Sequence, residues 1–474
     1  MLSRRSFLAI SLAAPYGLLS ARGNNKQEHP QFVRVSPRDY RYFELADGSP
    51  YIPIGLNMIS PPESARDDEA AGLNAFENWL EKLARNGGNY IRVWLSSPFW
   101  SVEHEKCGVY DPMKARRIDR LLELCRRYHI HVKLTMEHFR SIGGGPQAWA
   151  DNPLYSITHN GPATSIADFF DGEESRAQFR KKVQWYSRHY ADDPIIYGWE
   201  LWNEINAVHG GDFLAWTEAM LPELHKAFPK NLAMQSLGSF DRDRAREFYR
   251  PLSLMPGNDA AQVHRYLDQG AQLEVCHGPV DILAVDAIRE LRSYHPGRPI
   301  ILAESGAVEP SHSGPSHLYA KDRAGIILHD ILFAPFFSGA AGSGQIWHWA
   351  EYVDANDLWY HFGRFAEAVR GLDPPAEAFE PAVIEHPRLR VYVLKGKRTW
   401  LAWCRDSRND WRSEIERGEQ PEMLADITVD FGREGSGRVY DPWSGKWSAA
   451  NLSGGKILLP EFSRSVVVKL DTRG

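Results

Sequence analysis

The sequence predicts an α/β fold, a (β/α)8 barrel, followed by a small antiparallel β-sandwich. Three observations carry that expectation. Between about residues 50 and 350, short apolar runs alternate with stretches of helical period. Two of those runs end in a glutamate, Glu204 and Glu304. Beyond Pro374-Pro375 the helical period gives way to short strands separated by turn residues. At 474 residues the chain is too long for one ordinary domain, although α/β barrels run long.

Tyr51 to Leu56 reads as the first strand, ending at Asn57. Phe76, Trp79, Leu80 and Leu83 recur at helical spacing until Gly87-Gly88 stops the helix. Tyr90 to Leu95 is the second strand, with Arg92 placed at its end. Ile118, Leu121, Leu122 and Cys125 mark the next helix, and Ile130 to Met136 the third strand. A long loop with Gly143-Gly144-Gly145 and Trp149 follows, then a charged helix from about Glu173 to His189. Ile195 to Trp202 is the fourth strand, Asp212 to Phe228 a helix, Leu232 to Leu237 the fifth strand and Ala260 to Tyr266 the sixth. Val280 to Tyr294 is helical, Ile300 to Ala303 the seventh strand, Ala324 to Leu332 a helix and Gly344 to Trp349 the eighth strand. The barrel domain is expected over 40–372. Leu389 to Leu394, Thr399 to Trp403, Ile427 to Phe431 and Ser465 to Leu470 give the sandwich over 385–474.

Composition narrows the function. Hydrophobic content of 43% and charged content of 24% are ordinary for a water-soluble globular chain. The net charge of −6, with no basic run after residue 30, argues against nucleic acid and anionic membrane as partners. Sixteen Trp and 19 Tyr fill a core first, but rings in strand-end loops also make platforms for the apolar faces of sugars. Cys107, Cys125, Cys276 and Cys404 show neither metal-ligand spacing nor a disulfide framework, so no metal is expected. A Cys107–Cys125 bond and buried free thiols both fit their spacing. At the start of the chain, Ser3-Arg4-Arg5-Ser6-Phe7-Leu8 precedes the apolar stretch Ala9 to Leu19. Residues 1–21 thus resemble a twin-arginine export signal, which implies a periplasmic or extracellular protein. The stretch is too short for a stable membrane span, and no other segment reaches transmembrane length.

The chemistry lies at the strand ends. A glutamate after an apolar run ordinarily marks where a strand meets water. A barrel, however, gathers residues from distant strand ends at one mouth. Paired carboxyl groups there suit glycoside hydrolysis, one as acid and one as nucleophile, expected about 5 to 5.5 Å apart. Glu204 fits the acid, with Asn203 presenting its amide to a sugar 2-hydroxyl. Glu304 fits the nucleophile and must stay ionised, which Arg92 would favour; a purely structural ion pair is compatible with that role. Alternation places His264 and Tyr266 on one side of the sixth strand and Arg265 on the other. His264 and His138, taken singly, read first as satisfied core histidines, and Trp347 as either core or the floor of a sugar site.

Taken together, Arg92, His138, Asn203-Glu204, His264-Arg265-Tyr266, Glu304 and Trp347 resemble the ordered site pattern of glycoside hydrolase family 5 and its clan of retaining (β/α)8 β-glycosidases. Asn57 resembles that family's first-strand ending. The resemblance covers roughly 40–370 and implies acid/base for Glu204, nucleophile for Glu304 and substrate or carboxylate positioning for the rest. Glu304 is followed by Ser305-Gly306, where many members carry an aromatic residue and Gly, so the substrate stays open. The leading expectation is a secreted retaining enzyme, needing no cofactor, on β-linked hexosyl chains of glucan or mannan type. The alternatives are an exo-acting β-glycosidase on short glycosides and a silent carbohydrate-binding barrel.

Overall fold

The computed structural model describes residues 30–138, 154–157 and 160–472. The export-signal reading of 1–21 and the glycine-rich segment with Trp149 lie outside the described residues. Seven parallel strands form the heart of the fold: β1 (Gly55–Asn57), β2 (Tyr90–Trp94), β3 (His131–His138), β4 (Ile196–Asn203), β5 (Leu232–Met234), β6 (Ala261–His264) and β7 (Ile300–Glu304). β1 to β5 make one parallel ladder, and β6 with β7 a second. Every residue of all seven strands is buried, as strands covered on both faces must be. Gly55 allows the close approach of the first two strands: a Cβ there would lie 1.7 Å from the Tyr90 carbonyl oxygen.

The eighth run is strand-like without a full ladder. Ile346 bridges in parallel to Leu56 on one side and Ser305 on the other, so the chain near 346 joins β7 to β1. Gln345 N–H donates to the Leu302 carbonyl at 3.0 Å and Asn57 N–H to that of Ile346 at 3.0 Å. The expected strand Gly344 to Trp349 is therefore shorter, because Trp349–Asp354 winds into a π-helix. Between β5 and β6 the Asp259 carboxylate accepts from Ala233 N–H at 2.7 Å, taking the place of a ladder bond. The expected first strand is also divided. Pro53 carries no N–H to donate, and Pro50–Tyr51 pairs instead with Phe43–Leu45 in a small antiparallel sheet completed by Val33–Val35. Phe43 and Tyr51 meet Tyr197 and His131 from that sheet, covering the amino-terminal ends of the parallel strands.

Helices follow their sequence signals. Glu69–Arg85 starts at Asp68, whose side chain accepts from Ala71 N–H, and buries Phe76, Trp79, Leu80 and Leu83. Pro112–Tyr128 has Asp111 as its cap and Pro at its first turn, and ends in a left-handed His129. Ile326–Phe337 is different: all twelve residues are buried. A helix with no exposed face belongs inside, and this one packs against strands 389–395 and 399–406 of the carboxyl-terminal β-region.

That region has a six-stranded antiparallel sheet in the order 380–384, 389–395, 399–406, 465–472, 435–441, 446–449. A second layer of shorter strands packs on it through Val391, Val393, Val429, Ile457, Val466 and Val468. Alternation turns Val467 the other way, into the main core. Arg405 donates to both oxygens of Asp330 in the buried helix, at 2.9 and 3.3 Å, and Arg390 pairs with Asp281 at 2.6 Å. All four cysteines are free thiols.

Candidate active site

Asn203 ends β4, and alternation alone would send Glu204 to the opposite side. Glu204 instead adopts a left-handed backbone, φ 52° and ψ 48°, rare for a residue with a Cβ. That turn swings its carboxyl group back to the centre, where Oε1 lies 2.9 Å from His264 Nδ1. β7 shifts register between Leu302 and Glu304, and Glu304 comes level with His264. Its Oε2 is 3.3 Å from the same Nδ1 and accepts from the Tyr266 hydroxyl at 2.8 Å. One oxygen from each glutamate and the His264 nitrogen lie within 4.8 Å of one another. Arg265 points the other way, to the Phe240 carbonyl and Asp286.

Arg92 sits in the middle of β2 rather than at its end, and is wholly buried. It donates to Glu304 Oε1, to Asn203 Oδ1 at 2.6 Å and to Asn57 Oδ1 at 3.3 Å. Its remaining bonds go to Glu200 Oε2 at 2.8 Å and Thr135 Oγ1 at 3.2 Å. Glu200 also accepts from Thr135 at 2.6 Å and from Gln262 at 3.2 Å, and stands 3.7 Å from Lys133 Nζ. Asn57 donates to the Ala303 carbonyl at 3.0 Å, tying β1 to β7 beneath the glutamates.

Three carboxyl groups thus face two cations, and position decides which carries a proton. Burial would raise Glu200, but the Arg92 charge, then Lys133 and the Thr135 hydrogen bond, hold it below the usual carboxylate range. Burial and the neighbouring Glu304 charge push Glu204 well above that range. Burial pushes Glu304 up as well, against Arg92 and the Tyr266 hydrogen bond. Among the described residues Glu204 touches no Lys or Arg, so the proton of the pair resides there. Burial lowers His264 well below its usual value, leaving a neutral ring between the two glutamates. Burial also lowers Lys133 to about 7.

An aromatic cluster adjoins Arg92, whose guanidinium carbon is 5.9 Å from the Trp94 ring centre. Trp94 stacks on His138 at 4.8 Å and meets Trp347 at 5.0 Å, and His138 Nδ1 is 2.7 Å from Ser96 Oγ. Trp347 is half-buried, with Trp349 edge-on to it at 6.0 Å. All eight residues singled out from the sequence therefore belong to one neighbourhood. Sequence reasoning missed Glu200, Lys133, Thr135 and Gln262. A signal existed in the charged residues Lys133 and Glu200 within apolar runs, since unpaired charges are not buried. Glu204, His264 and Glu304 also have the donor types and spacing to hold a divalent cation.

No protein-family profile matches the chain. Mannan endo-1,4-beta-mannosidase 4 of rice (Oryza sativa subsp. japonica) is 26% identical over 176 residues, 34% of this chain and 37% of that protein. Mannan endo-1,4-beta-mannosidase 7 of Arabidopsis thaliana is 22% identical over 347 residues, covering 64% of this chain and 74% of that protein. A glycoside hydrolase family 5 structure from Bacteroides vulgatus matches with a TM-score of 0.55 at 12% identity, over 94% of each chain. In fold the chain is thus similar to that glycoside hydrolase structure. Among the described residues, no helix is long and apolar enough to cross a membrane.

Proposed function

We propose that the protein is a retaining β-glycosidase acting on mannan-type β-linked hexosyl chains, with Glu304 as nucleophile and Glu204 as acid/base. The observation that supports this most is the approach of the two carboxyl groups, an oxygen from each within 4.8 Å. Retaining enzymes hold them about 5–5.5 Å apart, and inverting ones need about 6.5–9.5 Å for an intervening water. The mannan reading rests on the names of the plant relatives.

In the first step Glu304 attacks the anomeric carbon while protonated Glu204 gives its proton to the departing oxygen, and a glycosyl–Glu304 ester forms. Glu204, now a carboxylate, takes a proton from water as that water attacks the ester, and Glu304 leaves ionised. Arg92 and Tyr266 hold the attacking carboxylate in place. Arg92 occupies Asn203 Oδ1 and so turns the amide nitrogen towards the sugar 2-hydroxyl. Trp347 and Trp94 form the floor under the reacting sugar. We read the two ladders and the run through Ile346 as one closed eight-stranded barrel over 40–372, with a β-sandwich over 385–474. Residues 1–21 are an export signal in this reading.

Azide rescue tests the assignment. Glu304→Gly should abolish hydrolysis, and azide should restore turnover of an activated aryl β-mannoside as the α-glycosyl azide, entering where the carboxylate stood. Glu204→Ala should keep glycosylation by activated substrates and give the β-azide. The opposite pairing of products would reverse the two roles, and no rescue in either variant would remove the double-displacement reading.

A further inference from the structure

A second chain of hydrogen bonds runs along the rim beside the glutamates, built from the ends of three successive strand units. Asp268, in the segment after β6, is buried, and its Oδ2 lies 2.9 Å from His312 Nδ1. His312, after β7, has Nε2 3.0 Å from the hydroxyl of Ser239, which follows β5. A carboxylate only accepts, so the imidazole proton sits on Nδ1, and Nε2 accepts from Ser239. The serine oxygen keeps its lone pairs, directed by a fixed donor bond. Gly270 N–H donates to the other oxygen of Asp268 at 2.7 Å, anchoring the series. His312 holds its ring there from a left-handed backbone, φ 58°.

The location gives the series its role. The His312 ring meets Tyr266 edge-on at 4.9 Å, and Tyr266 holds Glu304. The segment ending in Ser239 runs along Glu204: Ser236 Oγ accepts from Glu204 N–H at 3.2 Å, and Gly238 N–H donates to Asn206 at 2.6 Å. A Cβ on Gly238 would lie 3.8 Å from that of Glu204. The rim is therefore on the side of the proton donor. The acid faces the departing oxygen, so whatever leaves passes this side.

Resting on the glycosidase reading above, we propose that Ser239, His312 and Asp268 form a binding subsite for the leaving sugar, in which Ser239 Oγ accepts a hydrogen bond from a sugar hydroxyl. Ser239 and His312 touch the leaving group in this account, and Asp268 acts through His312 as a positioning residue. The subsite discriminates a sugar leaving group from one without hydroxyls. The chemistry at Glu204 and Glu304 does not pass through it.

The test compares two substrates with one glycone. Ser239→Ala and His312→Gln are assayed on β-1,4-mannotetraose and on 4-nitrophenyl β-mannobioside, whose leaving group has no sugar hydroxyl. We expect kcat/KM on the tetraose to fall about tenfold, mostly through KM, and kcat/KM on the aryl substrate to stay within about twofold. Equal losses on both substrates, or no loss on either, would overturn the subsite while leaving the glycosidase reading intact. Wild-type protein that cleaves neither substrate would overturn the function and the subsite together. Covalent labelling of Ser239 by a fluorophosphonate in the wild-type protein would overturn the subsite too, because a serine held by histidine and aspartate would then be an acyl-transfer nucleophile.

Discussion

Replacing Arg92 by Met removes a cation that pairs with both Glu200 and Glu304 and tests the charge arrangement of the whole site. The guanidinium is fully buried and gives hydrogen bonds to both carboxylates, Asn203, Asn57 and Thr135. Breaking a buried pair from one side costs about 3–5 kcal/mol, because the partner charge is left without compensation. Lys133 remains 3.7 Å from Glu200 and Thr135 still donates to it, so the loss should lie near the lower end of that range. In the wild type Glu200 titrates below its free value of about 4.3, so its contribution is complete above that pH and is lost as pH falls towards the folded value. The wild-type advantage should thus be full at pH 7 and shrink below about pH 4. Glu304 loses its main charge partner at the same time, and the acid limb of kcat/KM should move to higher pH. Urea unfolding at pH 7 and pH 3, with kcat/KM profiles on an aryl β-mannoside, measures both. A loss under about 1 kcal/mol at pH 7, the size of one ordinary hydrogen bond, or an unmoved acid limb, would refute the charge assignment.

Glu204→Gln should be more stable than wild type at pH 7 and equal to it near pH 4. A carboxyl that binds its proton more tightly in the folded chain costs stability as pH rises above its free value, about 1.4 kcal/mol for every tenfold gain in proton affinity. Urea midpoints at the two pH values check this, and a glutamine variant less stable at pH 7 would contradict it. Replacing Arg4 and Arg5 by Lys should leave the protein in the cytoplasm, because a twin-arginine receptor reads the guanidinium pair. Cell fractionation decides the point, and unchanged export would end the signal reading.

The alternation of strands and helices was legible in the residues alone, because apolar period depends on neighbours within one element. So were the residue types at the strand ends, from Asn203-Glu204 and Glu304 to His264 and Tyr266. The split at Pro53 was legible in principle, since a residue without an N–H cannot join the middle of a strand. The same is true of Glu200 and Lys133, whose charges inside apolar runs required partners. What those partners were was not legible, because Arg92 reaches Glu200 and Glu304 across 108 and 212 residues. That Glu204 turns through a left-handed backbone to stand beside His264, against the alternation its neighbours obey, followed from packing rather than from local pattern. Only the tertiary structure brought Ser239, Asp268 and His312 into one series, for none of them lies in a motif. Hydrogen bonds between strand ends depend on how the sheet curves and shifts register, and those are properties of all the strands packed together.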